Sequence, residues 1–374
     1  MKRSKLNVIT ACLGIAFLLL FGVTQFAKAE FIFGEPENPG APLNSPHADG
    51  TTCLAPDGLS FYFGSDRPGG YGMYDMWVAT RPTTSDAWGT PVNLGAAVNA
   101  SADDGCPSVS ADGLELYFTS DRSGGHGSYD IWVTTRPSVL DPWGEPVNLG
   151  QTVNSSRFDA TPTLSFDGLS LYFGSNRDKA GTAYSHLCYI YVTTRPTRDD
   201  PWGPPVKLGS TVNPGLEYDS DHPSISADGR VLFFTSNRPG SIGDSWDLWM
   251  ATRPTTDAEW ATAMNLGSAV NDSLNDLWPN ISPDGSTLFF LSERAGGLGG
   301  EDIWQVSIEP VVDFNADGTV DCLDICDLVD YWGTDNSLYD VGPTPFGDGV
   351  VDAQDLIILA EHMTTDADDS NDVE

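Results

Sequence analysis

A repeat constrains this chain more than any other feature of its sequence. Asp-Gly pairs at 57–58, 112–113, 167–168, 228–229 and 284–285 form a series whose members are 55 to 61 residues apart. Each pair separates two apolar runs, and this pattern is a strong hairpin signal because Gly adopts positive φ without steric cost. The Asp-Ile-Trp and Pro-Val-Asn-Leu runs recur at about the same period, so each copy predicts four short strands, named a to d in chain order.

Four-stranded units repeated at this period are typical of the blades of a β-propeller. The strand-d motif, Trp-Gly-x-Pro-Val-Asn-Leu-Gly-x-x-Val-Asn, occurs at 88–99, 143–154 and 202–213 and more loosely at 260–271, but no copy follows Trp304. Residues 33–44 match the missing copy in register. We therefore predict an all-β fold, a five-bladed propeller over residues 30–310, closed by an N-terminal strand that supplies strand d of the last blade.

The motifs Ser-x-Asp-Gly-x-x-Leu-Tyr-Phe-x-Ser-Asp/Asn-Arg and Asp-Ile-Trp resemble the WD40-like repeats, often called PD40 repeats, of TolB-type propellers. The resemblance covers roughly residues 30–310 and implies the propeller fold. It implies no single activity, since propellers of this type serve as binding platforms, periplasmic partners and non-catalytic domains. The TolB propeller has six blades, so its partner surface is not transferred to this chain.

The N-terminus and the charge balance limit the location and the partners. Residues 1–29 are typical of a secretory signal peptide, because basic residues precede an apolar stretch and Ala27-Lys28-Ala29 has the pattern of a cleavage site. After signal removal we expect no transmembrane segment, since no later stretch reaches about 20 apolar residues. The protein is then secreted or associated with the cell surface, or periplasmic. With 53 Asp and Glu against 18 Lys and Arg, no nucleic-acid partner is expected.

Carboxylates recur at the start of strand a, the innermost strand of a propeller blade. Asp104, Asp159 and Asp276 lie three residues before the strand-a proline. Asp49 is the equivalent in the first copy, and Asp221 flanks this position in the fourth. We expect these side chains to ring the mouth of the central channel and to bind a cation or another ligand, with turn-capping Asp side chains as the alternative.

Two further features of the repeat concern the loops between strands b and c. An Arg after strand b recurs with an Asp that begins strand c, as in Arg122 and Asp130, and we interpret the two as a structural pair. The third copy departs from the pattern, because residues 178–188 replace the Gly-Gly loop. Lys179 and His186 in this loop are ligand-binding candidates, and drift of a single loop is the alternative.

The residues after the propeller match a calcium-binding loop. The pattern has oxygen ligands at positions 1, 3, 5, 9 and 12, a backbone carbonyl at position 7 and a turn Gly at position 6. These metal-ligand candidates are Asp313, Asn315, Asp317, Thr319, Asp321 and Asp324. An amphipathic helix follows, so the stretch resembles one half of a type I dockerin. A weaker second loop offers Asp348, Val350, Asp352 and Asp355.

The second loop departs from the dockerin pattern at its start. Thr344 and Phe346 stand where the first two ligands belong, unless Asp340 folds back to supply one. The resemblance implies a small α-helical, dockerin-like, calcium-binding domain over residues 311–363, and we expect the acidic tail, 364–374, to be disordered. It also implies a cohesin-like receptor, usually in polysaccharide-degrading systems. A calcium-stiffened module without a cohesin partner is the alternative.

Two functions stay open. The first is a non-catalytic binding or scaffold protein, whose looped propeller face holds a protein or glycan ligand while the calcium module tethers it. No Gly-x-Ser-x-Gly or His-Glu-x-x-His motif occurs in the sequence. The second is a glycoside hydrolase, because five-bladed propellers are known glycosidase scaffolds. Its catalytic candidates are Asp104, Asp159, Asp276 and Glu217.

Overall fold

The computed structural model describes residues 31–179, 187–315, 319–334, 336, 338–342, 347 and 350–363. Several predictions lie outside these residues, namely the signal peptide, the acidic tail, His186, Asp317 and Asp348. The described part contains twenty β-strands, one 3-10 turn at Ile242–Asp244 and two α-helices.

The strands form five sheets of four strands each. The a strands are β2 (Asp49–Leu54), β6 (Asp104–Val109), β10 (Asp159–Leu164), β14 (Asp221–Ile225) and β18 (Asp276–Ile281). The b strands are β3 (Ser60–Ser65), β7 (Glu115–Ser120), β11 (Ser170–Ser175), β15 (Val231–Ser236) and β19 (Thr287–Ser292). The c strands are β4 (Asp75–Thr80), β8 (Asp130–Thr135), β12 (Tyr189–Thr194), β16 (Asp247–Thr252) and β20 (Asp302–Pro310). The d strands are β5 (Val92–Asn93), β9 (Val147–Asn148), β13 (Val206–Lys207) and β17 (Met264–Asn265), and β1 (Phe31–Phe33) is the outer strand of the fifth sheet.

The sheets are arranged as a ring around a central channel. In each sheet the order from the channel outward is a, b, c and the outer strand, and neighbouring strands are antiparallel. The a strands of neighbouring blades contact each other, and β18 of the fifth blade contacts β2 of the first. The predicted five-bladed propeller with four strands per blade is confirmed.

The N-terminal segment lies along the fifth blade. Strand β1 pairs antiparallel with the end of β20. Asn44 then accepts a hydrogen bond from the backbone N–H of Ile303 at 2.9 Å and donates one to the carbonyl oxygen of Ile303 at 2.8 Å. In the first blade Asn99, at the end of the strand-d motif, makes the same two bonds to Met76 at 2.9 Å each. Residues 31–44 thus contact the last c strand as a strand-d motif does elsewhere.

Aromatic side chains fill the space between neighbouring sheets. At one equivalent position of every b strand a Phe is fully buried, and these residues are Phe63, Phe118, Phe173, Phe234 and Phe290. The Arg that follows each b strand lies over this ring. The guanidinium carbon of Arg122, for example, is 4.9 Å from the ring centre of Phe118 and 5.4 Å from that of Trp132 on strand c. Cation–π contacts of this kind contribute about 0.5–2 kcal/mol, so they help hold the Arg against its blade.

Two helices follow the propeller, α1 (Cys322–Asp330) and α2 (Ala353–His362). Each begins with a capping box, formed by Asp321 with Asp324 and by Asp352 with Asp355. Each helix contributes a fully buried Leu to a small core of its own, Leu328 from α1 and Leu359 from α2. No helix in the described ranges is both long and apolar enough to span a bilayer.

Candidate functional site

Every a strand carries a β-bulge that aims one side chain differently from its neighbours. In β2 the register with β3 shifts between Gly50 and Cys53, and the other four a strands shift at the equivalent place. One residue of each bulge has φ between 50° and 56°, and these five bulge residues are Thr51, Cys106, Thr161, His222 and Trp278. Of all the residues that the structure describes, they are the only non-glycine residues with positive φ. This left-handed conformation is costly for residues with a Cβ, and such strain is concentrated at functional sites.

The five bulge residues meet at the channel, where they line one narrow space of about 30 Å³. Although they hold equivalent positions, they include a Cys, a His, a Trp and two Thr. The residues around them repeat much more closely, with an Asp two positions earlier in four blades and a Pro one position later in four. The repeat therefore presents diverse side chains on a uniform scaffold.

The channel widens at the end that carries the Gly-rich loops. A cavity of about 360 Å³, which we call the mouth cavity, lies there. Its lining includes Tyr129, Phe158, Asp221, His222, Trp246 and Trp278. A second space of about 190 Å³ shares Tyr129 and Trp278 with it and adds Tyr74 and Asp103. The mouth is thus mainly aromatic, with a few polar groups, as ligand pockets usually are.

Two carboxylates belong to this mouth. Asp221 is 5% exposed, and its Oδ1 accepts hydrogen bonds from the Thr161 hydroxyl at 2.9 Å and from the backbone N–H of His222 at 2.8 Å. Among the described residues no Arg or Lys lies within ion-pair distance of Asp221, and His222 Nε2 is 3.9 Å away. Asp103 accepts from the Tyr129 hydroxyl at 3.0 Å. Of the predicted ligand-binding carboxylates, Asp221 lines the mouth cavity, and Asp104, although 0% exposed, is among the residues that line the second space.

The other four predicted ligand-binding carboxylates are fully buried inside their blades. They are Asp49, Asp104, Asp159 and Asp276, and each forms an ion pair with the Arg that follows strand b, respectively Arg67, Arg122, Arg177 and Arg294. The oxygen-to-nitrogen distance is 2.5 Å for Asp104 and 2.6 Å for Asp276. The expectation that these carboxylates ring the channel mouth is therefore wrong. The reason is the register, since each Asp lies opposite the Ser that ends strand b, two residues before the Arg.

The interpretation that these Arg residues pair with the strand-c acids is wrong for the same reason. Asp75, at the start of β4, instead accepts hydrogen bonds from the backbone N–H groups of Tyr71 at 2.5 Å and Gly72 at 2.9 Å. It also accepts from the amide of Asn93 at 2.9 Å. The strand-c Asp thus stabilises its own Gly-rich loop and strand d, while the Arg is bound to strand a.

The glycosidase candidates are not arranged as an accessible acid pair. Burial raises the pKa of both Asp104 and Asp276, but each is 0% exposed and bonded to an Arg, so neither carboxyl can reach a sugar. Asp159 is buried in the same way. Glu217 is exposed in the connection between the third and fourth blades. A general acid must come within hydrogen-bond reach of the glycosidic oxygen, which three of these four groups cannot do.

The boundary between the third and fourth blades departs from the repeat. Ser220 stands where the other blades have Asp, so Arg238 donates to the Ser220 hydroxyl at 2.8 Å, and burial lowers the Arg238 pKa to about 10. Lys179 is 4% exposed, and its Nζ is 3.4 Å from Asp219 Oδ1. Burial, with a contribution from the charge of Asp221, raises the pKa of Asp219 to about 7. Lys179, predicted as a ligand-binding residue, is therefore committed to a buried pair.

Asp324 holds together the first loop that the sequence predicts to bind calcium. This fully buried carboxylate accepts hydrogen bonds from the backbone N–H groups of Phe314 at 2.7 Å, Asn315 at 3.2 Å and Asp321 at 2.9 Å. The two ends of the loop are thereby brought together, and the donor set consists of the oxygen ligands that calcium prefers. Among the residues that are described, no group of three or more His, Cys, Asp or Glu side chains forms a metal cluster.

The second loop begins at Asp340. The N–H groups of Val341 and Gly342 donate to Asp355 Oδ1 at 2.6 and 2.8 Å, just as those after Asp313 donate to Asp324. Asp340 thus occupies the place of the first ligand, and the second loop is four residues longer than the first. Asp340 Oδ2 also lies 3.6 Å from the Arg230 guanidinium of the propeller.

The bulge residues and the mouth aromatics were missed in the sequence. They could have been found by aligning the five copies of the repeat and looking for positions that vary between otherwise similar segments. The position two residues after the strand-a Asp changes chemical type from copy to copy, whereas its neighbours repeat. The position before the strand-c Asp varies as well, with Tyr74, Tyr129 and Trp246 among its occupants.

No protein-family model and no curated protein matches the chain. Among solved structures, TolB from Acinetobacter baumannii is 15% identical with a TM-score of 0.44, and the match covers 74% of this chain and 63% of that one. This chain therefore spans less than two thirds of that protein. A thermostable family-43 glycoside hydrolase is 17% identical with a TM-score of 0.47, covering 72% of this chain and 92% of that one. The α-L-arabinofuranosidase of Podospora anserina is 13% identical with a TM-score of 0.46, covering 75% and 97%. At these identities the likeness is one of fold, and it carries nothing about activity.

Proposed function

We propose that this chain is a secreted, non-catalytic binding protein whose propeller holds a protein or glycan ligand in the mouth cavity. The observation that carries the proposal is the set of five bulge residues, which place different side chains on equivalent strained positions around one channel. A purely structural ring has no need for strained, non-repeating residues at its centre. The aromatic mouth above them has the size and the lining of a ligand pocket.

A glycan array read with the full mature chain tests the binding role. We expect binding that is lost in Trp278→Ala and kept in Leu140→Ala, whose side chain is 94% exposed on the outer surface. Glycans that bind both variants equally would place the ligand outside the mouth cavity and contradict the proposal. If no glycan binds, we compare the binding of a protein ligand to the same two variants. Release of reducing sugar that is lost in Glu217→Gln, at the one exposed glycosidase candidate, would favour the glycosidase.

We also propose that residues 311–363 form a dockerin-like module that binds calcium and tethers the propeller to a cohesin-like receptor or another surface. The support is the pair of similar loops closed by Asp324 and Asp355 onto the backbone that follows Asp313 and Asp340. Calorimetric titration of the full mature chain should show a calcium site that Asp313→Ala weakens. The control is Asp330→Ala, because Asp330 is exposed at the end of α1. Equal calcium binding by both variants would contradict the loop assignment.

A further inference from the structure

Accepting the mouth cavity as the ligand site of the proposed function, we propose that it accommodates a quaternary ammonium group. Rings line this cavity in two contacting pairs. The ring centres of Tyr129 and Phe158 are 5.5 Å apart, and those of His222 and Trp278 are 5.3 Å apart. Trp246 is a further aromatic wall. Aromatic faces carry negative charge density, so several rings around one space form a cage that attracts an organic cation.

The charges at the mouth have the sign that such a cation requires. Asp221 lines the same cavity, is nearly buried, and has neither Arg nor Lys within ion-pair distance among the described residues. The carboxylates one position earlier in the repeat all contact an Arg, and these are Asp49, Asp104, Asp159 and Asp276. The residues equivalent to Asp221 itself are uncharged, namely Gly50, Gly105, Ala160 and Leu277. Lys179, a buried cation at the boundary between the third and fourth blades, contacts Asp219. A carboxylate kept at low exposure, with no described Arg or Lys in contact and only the His222 imidazole at 3.9 Å, favours a ligand that brings positive charge with it.

The charge of the whole chain acts in the same direction. A formal net charge of −35 draws cations toward the protein and repels anions. Neither Arg nor Lys is among the described residues that line the mouth cavity, so an anionic ligand finds no partner there. The aromatic mouth and the electrostatic field thus select for positive charge.

The shortage of hydrogen-bond acceptors favours a quaternary over a primary ammonium group. A primary ammonium carries three N–H donors, and each needs an acceptor once it leaves water. Asp221 Oδ1 already accepts two hydrogen bonds, which leaves Asp221 Oδ2 as the remaining carboxylate oxygen for three N–H donors, and most of the other described lining is aromatic or aliphatic. A trimethylammonium group has no N–H donor, so its transfer from water into such a cavity costs less free energy. The ligand class is therefore a choline-like cation.

Three probes of similar size test the inference by calorimetric titration of the full mature chain. These are choline, its uncharged carbon isostere 3,3-dimethyl-1-butanol, and ethanolamine. We expect choline to bind with a dissociation constant below about 1 mM. We expect each of the other two to bind at least about tenfold more weakly, which corresponds to about 1.4 kcal/mol. Equal binding of choline and the isostere, tighter binding of ethanolamine, or no binding of choline at 10 mM overturns the inference.

Two variants connect the binding to the named groups. Trp278→Leu keeps an apolar side chain but removes the ring, so it should weaken choline and leave the isostere nearly unchanged. Asp221→Asn keeps the shape and removes the charge, so it should weaken choline alone. Leu140→Ala is the control, and unfolding temperatures show that each variant is folded. If choline and its isostere bind equally and Trp278→Leu weakens both, the cavity is a ligand site as proposed and only the ammonium assignment fails.

Discussion

Single residues in this propeller take their roles from the strand to which they belong. Two Asp residues recur in most blades, and their side chains do different work. The one that begins strand a, such as Asp104, is buried against an Arg, while the one that begins strand c, such as Asp75, accepts backbone N–H bonds of a loop. A buried ion pair depends on both partners, because removing one leaves the other charge uncompensated.

Asp104→Asn should lower the free energy of unfolding by about 3 kcal/mol, since it leaves Arg122 charged, 13% exposed and without its carboxylate. Urea unfolding of the mature chain measures this. The control is Asp257→Asn at an exposed position, which should change stability by less than about 0.5 kcal/mol. If both variants change the free energy of unfolding equally, the buried ion pair does not stabilise the protein as predicted.

Asp219 gives the folded protein a pH dependence of its own. Its pKa is raised to about 7, against about 3.9 in an unfolded chain. Between these values the folded state binds a proton that the unfolded state lacks, so the free energy of unfolding falls as the pH rises from about 4 to about 7. The Asn side chain of the Asp219→Asn variant cannot ionise. The free energy of unfolding of this variant should therefore fall less steeply with pH over this range. Urea unfolding at several pH values tests this, and parallel curves for both proteins would contradict it.

At the scale of elements, the bulge of strand a is the device that turns a structural repeat into a binding surface. Each bulge turns one residue into the left-handed region and toward the channel, and the strand resumes its register two residues later. Bulges are known to re-aim side chains next to functional sites. Because a side chain at these positions carries a cost in backbone strain, substitution by Gly removes the side chain and the strain together. Mutation can therefore measure the strain at a bulge residue.

Cys106→Gly should leave the free energy of unfolding unchanged within about 1 kcal/mol, because Gly adopts the observed φ of 53° without strain. Cys106→Val should lower it by more than about 1 kcal/mol, since a β-branched residue is poorly tolerated there. Cys53→Gly is the matched control. Cys53 is 7% exposed and packed in the core between the first two blades, so its loss should destabilise by about 1–3 kcal/mol. A Cys106→Gly protein as unstable as the Cys53→Gly protein would refute the strained-bulge account.

At the scale of the whole molecule, the first and last described segments of the propeller meet on the fifth blade. Strand β1 and Asn44 come from the start of the described chain, and β20 comes from the end of the propeller. Buried side chains in the N-terminal segment, such as Leu43 at 1% exposure, add to this contact. We predict that this segment holds the ring closed.

Deleting residues 31–44 should lower the unfolding temperature by roughly 10 °C, because the loss of two buried large side chains alone costs about 3–6 kcal/mol. A sharper comparison is Asn44→Ala against Asn99→Ala, since both side chains are 1% exposed and bond the same two backbone atoms of a c strand. We expect the two variants to lose similar amounts of stability. If only Asn99→Ala destabilises the protein, the N-terminal segment does not act as a strand d.

The sequence by itself determined the blade count and the strands within each blade. These depend on local patterns, such as the Asp-Gly turns and the strand-d motif, that repeat along the chain and need no knowledge of distant contacts. The tertiary structure alone decided which Arg pairs with which Asp, because Asp104 and Arg122 meet through the register of two strands. It also decided the mouth cavity, since Tyr129, Asp221 and Trp278 come from different blades and become neighbours only when the ring forms. Periodicity reports what all blades share, whereas the binding surface consists of the positions at which they differ.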